Sequence, residues 1–149
     1  MTRLRPATPA DVPAMAEILQ EWLDATAWMP ALHDLSETEQ FLARLQSETK
    51  ITVAEIEQAD APAVTGFLSL DGAEIPALYV AHSARCAGIG SALLGAAQEA
   101  RPHLALWTFK ANGRARRFYR CHGFREVGTT DGSENAERLP DVRLEWSRQ

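Results

Sequence analysis

The stretch from Val80 to Leu94, V-A-H-S-A-R-C-A-G-I-G-S-A-L-L, constrains this chain more than any other. A β-like run, Leu78-Tyr79-Val80, enters a short polar segment, the pair Gly88-x-Gly90 follows, and a helix of small residues leaves from Ser91 onward. A strand, loop and helix joined this way aim several backbone N–H groups and the positive end of a helix dipole at one point, so the junction can hold a phosphate or pyrophosphate without a lysine. Two common phosphate loops are excluded by the letters. The third glycine of G-x-G-x-x-G falls at Leu93, and the lysine of a P-loop is missing because Ser91 directly follows Gly90.

The rest of the chain supplies elements in an order. Thr2 to Pro6 can form a strand with Leu4 inward, and Thr8-Pro9-Ala10-Asp11 reads as a helix start. Val12, Met15, Ile18, Leu19, Trp22 and Leu23 then recur at helical spacing and predict one buried face. Ala27 to His33 crowds large apolar side chains around Pro30 and cannot continue a helix. Ser36-Glu37-Thr38-Glu39 predicts a capping box for a second helix that buries Phe41, Leu42 and Leu45.

From Lys50 the period changes to two. Strands are predicted from Ile51 to about Ile56, from Val64 to Leu70 and from Glu74 to Val80, the last containing Pro76, which removes a ladder donor. A helix over Ile89 to Ala100, a strand over Leu104 to Phe109, a helix over Arg114 to His122 capped by Asn112 and ended by Gly123, and strands over Phe124 to Thr129 and Val142 to Trp146 complete the pattern. This describes a mixed sheet covered by helices, an α/β (α+β) class without regular βαβ alternation.

At 149 residues, 46% of them hydrophobic, the chain fits one domain over 1–149. Its net charge of −5 argues against a general nucleic-acid binder and is compatible with a small cationic substrate. Cys86 and Cys121 have no metal-binding spacing, and His33, His103 and His122 are scattered, so no metal site is expected. The first residues lack the apolar run of a signal peptide and no segment reaches ~18 apolar residues, which predicts a cytoplasmic protein with no membrane partner.

Arg85-Cys86-Ala87-Gly88-Ile89-Gly90 resembles the pyrophosphate motif Arg/Gln-x-x-Gly-x-Gly/Ala of the GNAT superfamily of N-acetyltransferases. Asn112-x-x-Ala115-x-x-Phe118-Tyr119-x-x-x-Gly123-Phe124 resembles a second motif of that superfamily, and the two together are far more specific than either alone. The resemblance spans Thr2 to Trp146. Departures are His82, where proline is common, and Cys86 and Ala87, which replace a frequent Gly and Lys/Arg.

The resemblance implies a mostly antiparallel central sheet with a splayed parallel strand pair and about four flanking helices. It implies acetyl-CoA as cosubstrate, its pyrophosphate on the amides from Arg85 to Ser91 and its pantetheine arm beside Leu78, Tyr79 and Val80, with Asn112 and Tyr119 as further contacts. Pro76 then falls where the strands diverge, and a bulge is predicted there. Asn112 is equally a helix cap. Arg114, Arg116, Arg117 and Arg120 can reach a nucleotide phosphate or form a solvated face.

The implied reaction is direct acetyl transfer to a primary amine, a small molecule or a peptide. Glu74 resembles the catalytic glutamate of relatives and can remove the amine's proton; a solvent-facing strand residue is the other reading. Tyr119 resembles their general acid, because a phenol remains a donor at neutral pH; a core tyrosine with a capped hydroxyl is its alternative. Trp28, Met29, Leu32 and His33 are expected to line one side of the acceptor site and Asp131, Glu134, Asn135 and Glu137 the other, unless they form only a proline-stapled junction and a polar loop. A non-catalytic acyl-CoA-binding regulatory module and a mononucleotide binder remain alternatives, as do a monomer and a homodimer.

Overall fold

A computed structural model describes residues 2–58, 60–85 and 87–149. Seven strands form one sheet in the order β1-β2-β3-β4-β5-β7-β6: β1 (Thr2–Pro6), β2 (Lys50–Ile56), β3 (Ala63–Asp71), β4 (Glu74–Val80), β5 (His103–Phe109), β6 (Arg125–Thr130) and β7 (Asp141–Ser147). Every neighbouring pair is antiparallel except β4–β5. Helices α1 (Val12–Ala25) and α2 (Leu35–Glu48) cover one face, and α3 (Ile89–Ala100) and α4 (Gly113–Cys121) the other. None of the described helices is long and apolar enough to cross a membrane.

The alternation of side chains along the strands divides the core in two. Phe67 packs with Met15, Leu19 and Leu42 beneath α1 and α2, whereas its neighbour Leu68 packs with Leu93, Leu104 and Leu144 beneath α3. Along β4 this alternation breaks once. Ala77 and Tyr79 belong to the α1/α2 face and Leu78 and Val80 to the α3/α4 face, yet Ile75 lies with the latter. The cause is a bulge: Ser69 pairs with Ala77 and Asp71 with Glu74, so β4 spends one residue more than β3 around Pro76. The slip expected at the proline is therefore present, and it absorbs the missing donor.

Several local expectations are corrected. Residues Pro9–Asp11 form a 3-10 turn and the α-helix starts at Val12. Asp11 accepts two bonds from Arg5 and one from the Thr8 amide, which ties the turn to β1. The cap of α2 is Asp34, not Ser36: its carboxylate accepts from the Glu37 amide at 2.9 Å and Glu37 reaches back to the Asp34 amide at 3.3 Å. Phe41 is 40% exposed because it borders a cavity instead of the core. The final helix starts one residue early, at Gly113, and the polar segment after β6 contains one buried residue, Gly132.

Candidate active site

α3 begins at Gly88, which has φ 78 and supplies no capping side chain. Its first helical bond runs from the Ala92 amide to the Gly88 carbonyl, so the amides of Ile89, Gly90 and Ser91 lack a helical acceptor. These residues border a cavity of about 350 Å³ that Val80, Arg85, Asn112 and Arg114 also line. No acid lies in the first turn of α3. Free amides, a helix N-terminus and two arginines suit a diphosphate.

Small size matters at Gly90 for a separate reason: a β-carbon there would stand 3.3 Å from the Phe118 ring, which crosses the start of α3. His122 packs on Phe118 at a tilt of 41° with ring centroids 4.5 Å apart, and its Nδ1 lies 2.9 Å from the Phe118 carbonyl. A carbonyl only accepts, so Nδ1 carries a proton, and Nε2 lies 3.0 Å from the Ser91 hydroxyl. The two motifs legible in the sequence thus pack on one another through Gly90, Ser91, Phe118 and His122.

Beyond Val80 the cavity continues between β4 and β5. These strands share one registered pair, Glu74 with Ala105, after which they separate. A gap of about 90 Å³ opens there, lined by Ile75 to Tyr79, Leu106 to Phe109, Asn112, Ala115 and Tyr119. The β4 backbone from Leu78 to Val80 pairs with β3 on its other side, leaving its β5-facing edge without a ladder partner. An extended amide-containing chain can pair with such an edge.

Tyr119 is 6% exposed and borders both spaces. Burial, and secondarily the neighbouring Tyr79, push its phenol well above the usual tyrosine range, so it stays protonated at physiological pH. Among the described residues its hydroxyl has no hydrogen-bond partner, although no fully buried side-chain polar atom is left unsatisfied. The hydroxyl is therefore neither capped nor fully buried, on a residue that lines both spaces.

Across the sheet, α1, α2 and the segment after β6 enclose a further cavity of about 350 Å³. Its apolar wall includes Leu19, Trp22, Met29, Phe41, Tyr79 and Phe109, and Glu137 enters from the loop. Trp22 and Tyr79 line this cavity, the gap and the α3 cavity alike, so that pair is common to the walls of all three.

The expected site residues are distributed unevenly. Leu78, Tyr79, Val80, Arg85, Gly88, Ile89, Gly90, Ser91, Asn112 and Tyr119 come together around the first cavity. Cys86 lies outside the described residues, and Ala87 is exposed and not part of the lining. Arg114 reaches the rim, whereas Arg116 is bound to Glu126 at 2.8 and 2.9 Å and Arg120 lies 3.9 Å from the same carboxylate. Asn112 also caps α4, accepting from the Ala115 amide.

On the acceptor side, Met29 and His33 border the aromatic cavity, but Trp28 and Leu32 do not. Trp28 braces its walls edge-on, 5.9 Å from Trp22 and 5.8 Å from Phe109. Leu32 lines a neighbouring recess with Asp24. Asn135 is not free for a ligand, since its amide group donates to the Leu139 carbonyl at 2.8 Å and accepts from the Leu139 amide at 3.2 Å, closing its own loop.

Glu74 requires the largest correction. It stands at the closed end of the splayed pair, lines none of the three spaces, and receives two bonds from Arg143 at 2.7 and 2.8 Å. Val80 lies six positions further along the strand, roughly 20 Å of chain. Glu74→Gln should leave kcat within ~3-fold of wild type across pH, the small change reflecting a half-exposed ion pair; steady-state rates between acid and alkaline pH check this.

Trp22, Phe109 and the Tyr79 side chain escaped sequence reasoning. Trp22 fits the buried face of α1 by spacing, Phe109 ends a buried strand, and Tyr79 attracts notice only for its backbone. Nothing in a single sequence marks them as lining residues.

A family model described as an acetyltransferase (GNAT) domain matches residues 47–126. The chain is 28% identical over 157 aligned positions to the peptidyl-lysine N-acetyltransferase YiaC of Escherichia coli (strain K12), covering 96% of this chain and 95% of that protein. The solution structure of apo YjaB from Escherichia coli superposes with a TM-score of 0.81 at 23% identity, covering 100% of this chain and 99% of that one. The ribosomal-protein-alanine N-acetyltransferase from Brucella melitensis superposes with a TM-score of 0.69 at 25% identity over 97% and 99% of the two chains.

Proposed function

The chain belongs to the GNAT family of acetyltransferases, and from that premise we propose that acetyl-CoA lies along the α3 cavity and the β4–β5 gap, delivering its acetyl group directly to a primary amine from the α1/α2 side. The protein is an N-acetyltransferase. One observation supports the proposed path: Trp22 and Tyr79 are common to the walls of the donor cavity, the gap and the aromatic cavity on the opposite face, and Tyr119 lines the first two.

In this reading the Ile89, Gly90 and Ser91 amides hold the diphosphate, while Arg85 and Arg114 balance phosphate charge at the rim. The free edge from Leu78 to Val80 pairs with the pantetheine amides and fixes the thioester in the gap. Acetyl-CoA supplies the activated acyl group. The amine nitrogen, entering neutral, bonds to the carbonyl carbon as the carbon–sulfur bond breaks; Tyr119 donates its proton to the departing sulfur, and the proton that the nitrogen sheds as the amide forms restores the phenol. A protonated amine loses one further proton to solvent over the full reaction. Direct transfer also fits the position of Cys121, which is exposed on α4 and absent from the lining.

The relatives named above act on peptidyl lysine and on a ribosomal-protein alanine, both amines, and the acceptor here is read as an amine of the same chemistry. Thiol release from acetyl-CoA, followed with a panel of primary amines and lysine-containing peptides, tests the proposal. Amine-dependent release supports it. Thermal stabilisation by acetyl-CoA with no thiol from any acceptor points instead to a binding module.

A further inference from the structure

The described lining of the acceptor-side cavity brings together an apolar wall and a few charged groups, and these differ in how free they are. Glu37 already serves the Asp34 amide and lies 3.5 Å from His33 Nδ1. Arg44 comes from the third turn of α2. Glu137 has no ion-pair or side-chain hydrogen-bond partner among the described residues, although it borders both this cavity and the adjoining recess that Asp24 lines.

The loop that carries Glu137 is built to hold its shape. Gly132 is buried at φ 84 against the Leu139 backbone, Asn135 binds both the amide and the carbonyl of Leu139, and the Gly132 amide donates to the Thr130 hydroxyl. Arg138, the residue after Glu137, sits at φ 57, which a side-chain-bearing residue adopts when its surroundings impose it. A surface loop of no consequence has little need of this internal bonding.

We propose that Glu137 is the carboxylate that recognises the acceptor, and that the cavity selects a primary ammonium group carried on an apolar stem. The proposal rests on the acetyl-transfer reading above. An ammonium beside Glu137 lies next to Tyr79, which also lines the donor side, while its stem covers Trp22, Met29, Phe41 and Phe109. The Tyr79 phenol is pushed up to about 12 by burial and then by Glu137, which agrees with a carboxylate near that hydroxyl. A polycation would set part of its charge against the apolar wall of Trp22, Met29, Phe41 and Phe109, which is costly. A lysine side chain and a free arylalkylamine share the chemistry described.

Three probes separate the outcomes: phenethylamine, a peptide with one lysine and a blocked N-terminus, and spermidine. With wild type, one of the first two should be the best acceptor. Glu137→Gln should raise KM for that acceptor ~10–100-fold, as for loss of a charge-assisted contact, with kcat at saturating amine and the Kd for acetyl-CoA little changed. Glu137→Asp should recover part of the loss, which a merely structural role would not produce. Melting temperature checks that each variant is folded. An unchanged amine KM in Glu137→Gln, or spermidine as the best acceptor, overturns the assignment and leaves the enzyme reading intact. If no amine releases thiol, calorimetric titration into the CoA-bound protein decides: phenethylamine or peptide binding that Glu137→Gln abolishes keeps the pocket while the catalytic reading falls, and binding that is absent or unaffected overturns the pocket as well.

Discussion

Replacing Tyr119 by Phe should lower kcat by ~10²–10³-fold, the usual loss when a positioned general acid is removed, with KM for acetyl-CoA and melting temperature close to wild type. The two halves of this expectation have different origins. Catalysis suffers because the departing thiolate loses a donor that burial keeps protonated. Stability does not, because the hydroxyl has no protein partner among the described residues and its loss strands no other polar group. A tyrosine serving only as core with a capped hydroxyl predicts the reverse: modest destabilisation and unchanged turnover. Single-turnover rates and thermal unfolding of the two proteins decide between them.

Gly132→Ala should have the largest effect on the acceptor side. A β-carbon at this position would stand 2.3 Å from the carbonyl carbon and oxygen of Leu139, and φ 84 adds backbone strain for any residue with a side chain. Neither group can retreat without breaking the Asn135 clamp on Leu139. We expect a loss of ~2–4 kcal/mol in unfolding free energy or a displaced loop, and an amine KM raised by more than ~10-fold in either case. The Kd for acetyl-CoA should hold, since none of its proposed contacts comes from this loop. Denaturant unfolding, hydrogen exchange over residues 131–140 and isothermal titration together check this.

Donor-side features were legible in the sequence because they depend on backbone chemistry that leaves marks. A positive φ and a close helix crossing demand glycine at 88 and 90, a helix start demands Asn112 or a similar residue, and proline in a strand signals a broken ladder at 76. The strands, their order and the bulge were accessible for the same reason. The acceptor side was not, because a cavity is made by side chains that stop short of one another, and aromatic residues lining a space follow the same spacing as those filling a core. Trp22 and Phe41 lie at buried-face positions of α1 and α2, yet one borders all three spaces and the other remains 40% exposed. Glu74 misled for a further reason: its strand position suits a base, while its partner Arg143 is 69 residues away in sequence and has no local signature.

The splay of β4 from β5 also sets a size limit. A closed sheet is a partition, and whatever binds on one face cannot react with what binds on the other. This sheet has a slot of about 90 Å³, the bulk of roughly three water molecules, between two chambers several times larger. Large donors and acceptors can each be accommodated in their own chamber, but only their tips can share the slot. On the proposed reading, an acceptor would present its nitrogen end-on to this slot, whose walls include Leu78 and Phe109. Selection by the slot would then act on the reacting end of the acceptor, separately from how the rest of it is held.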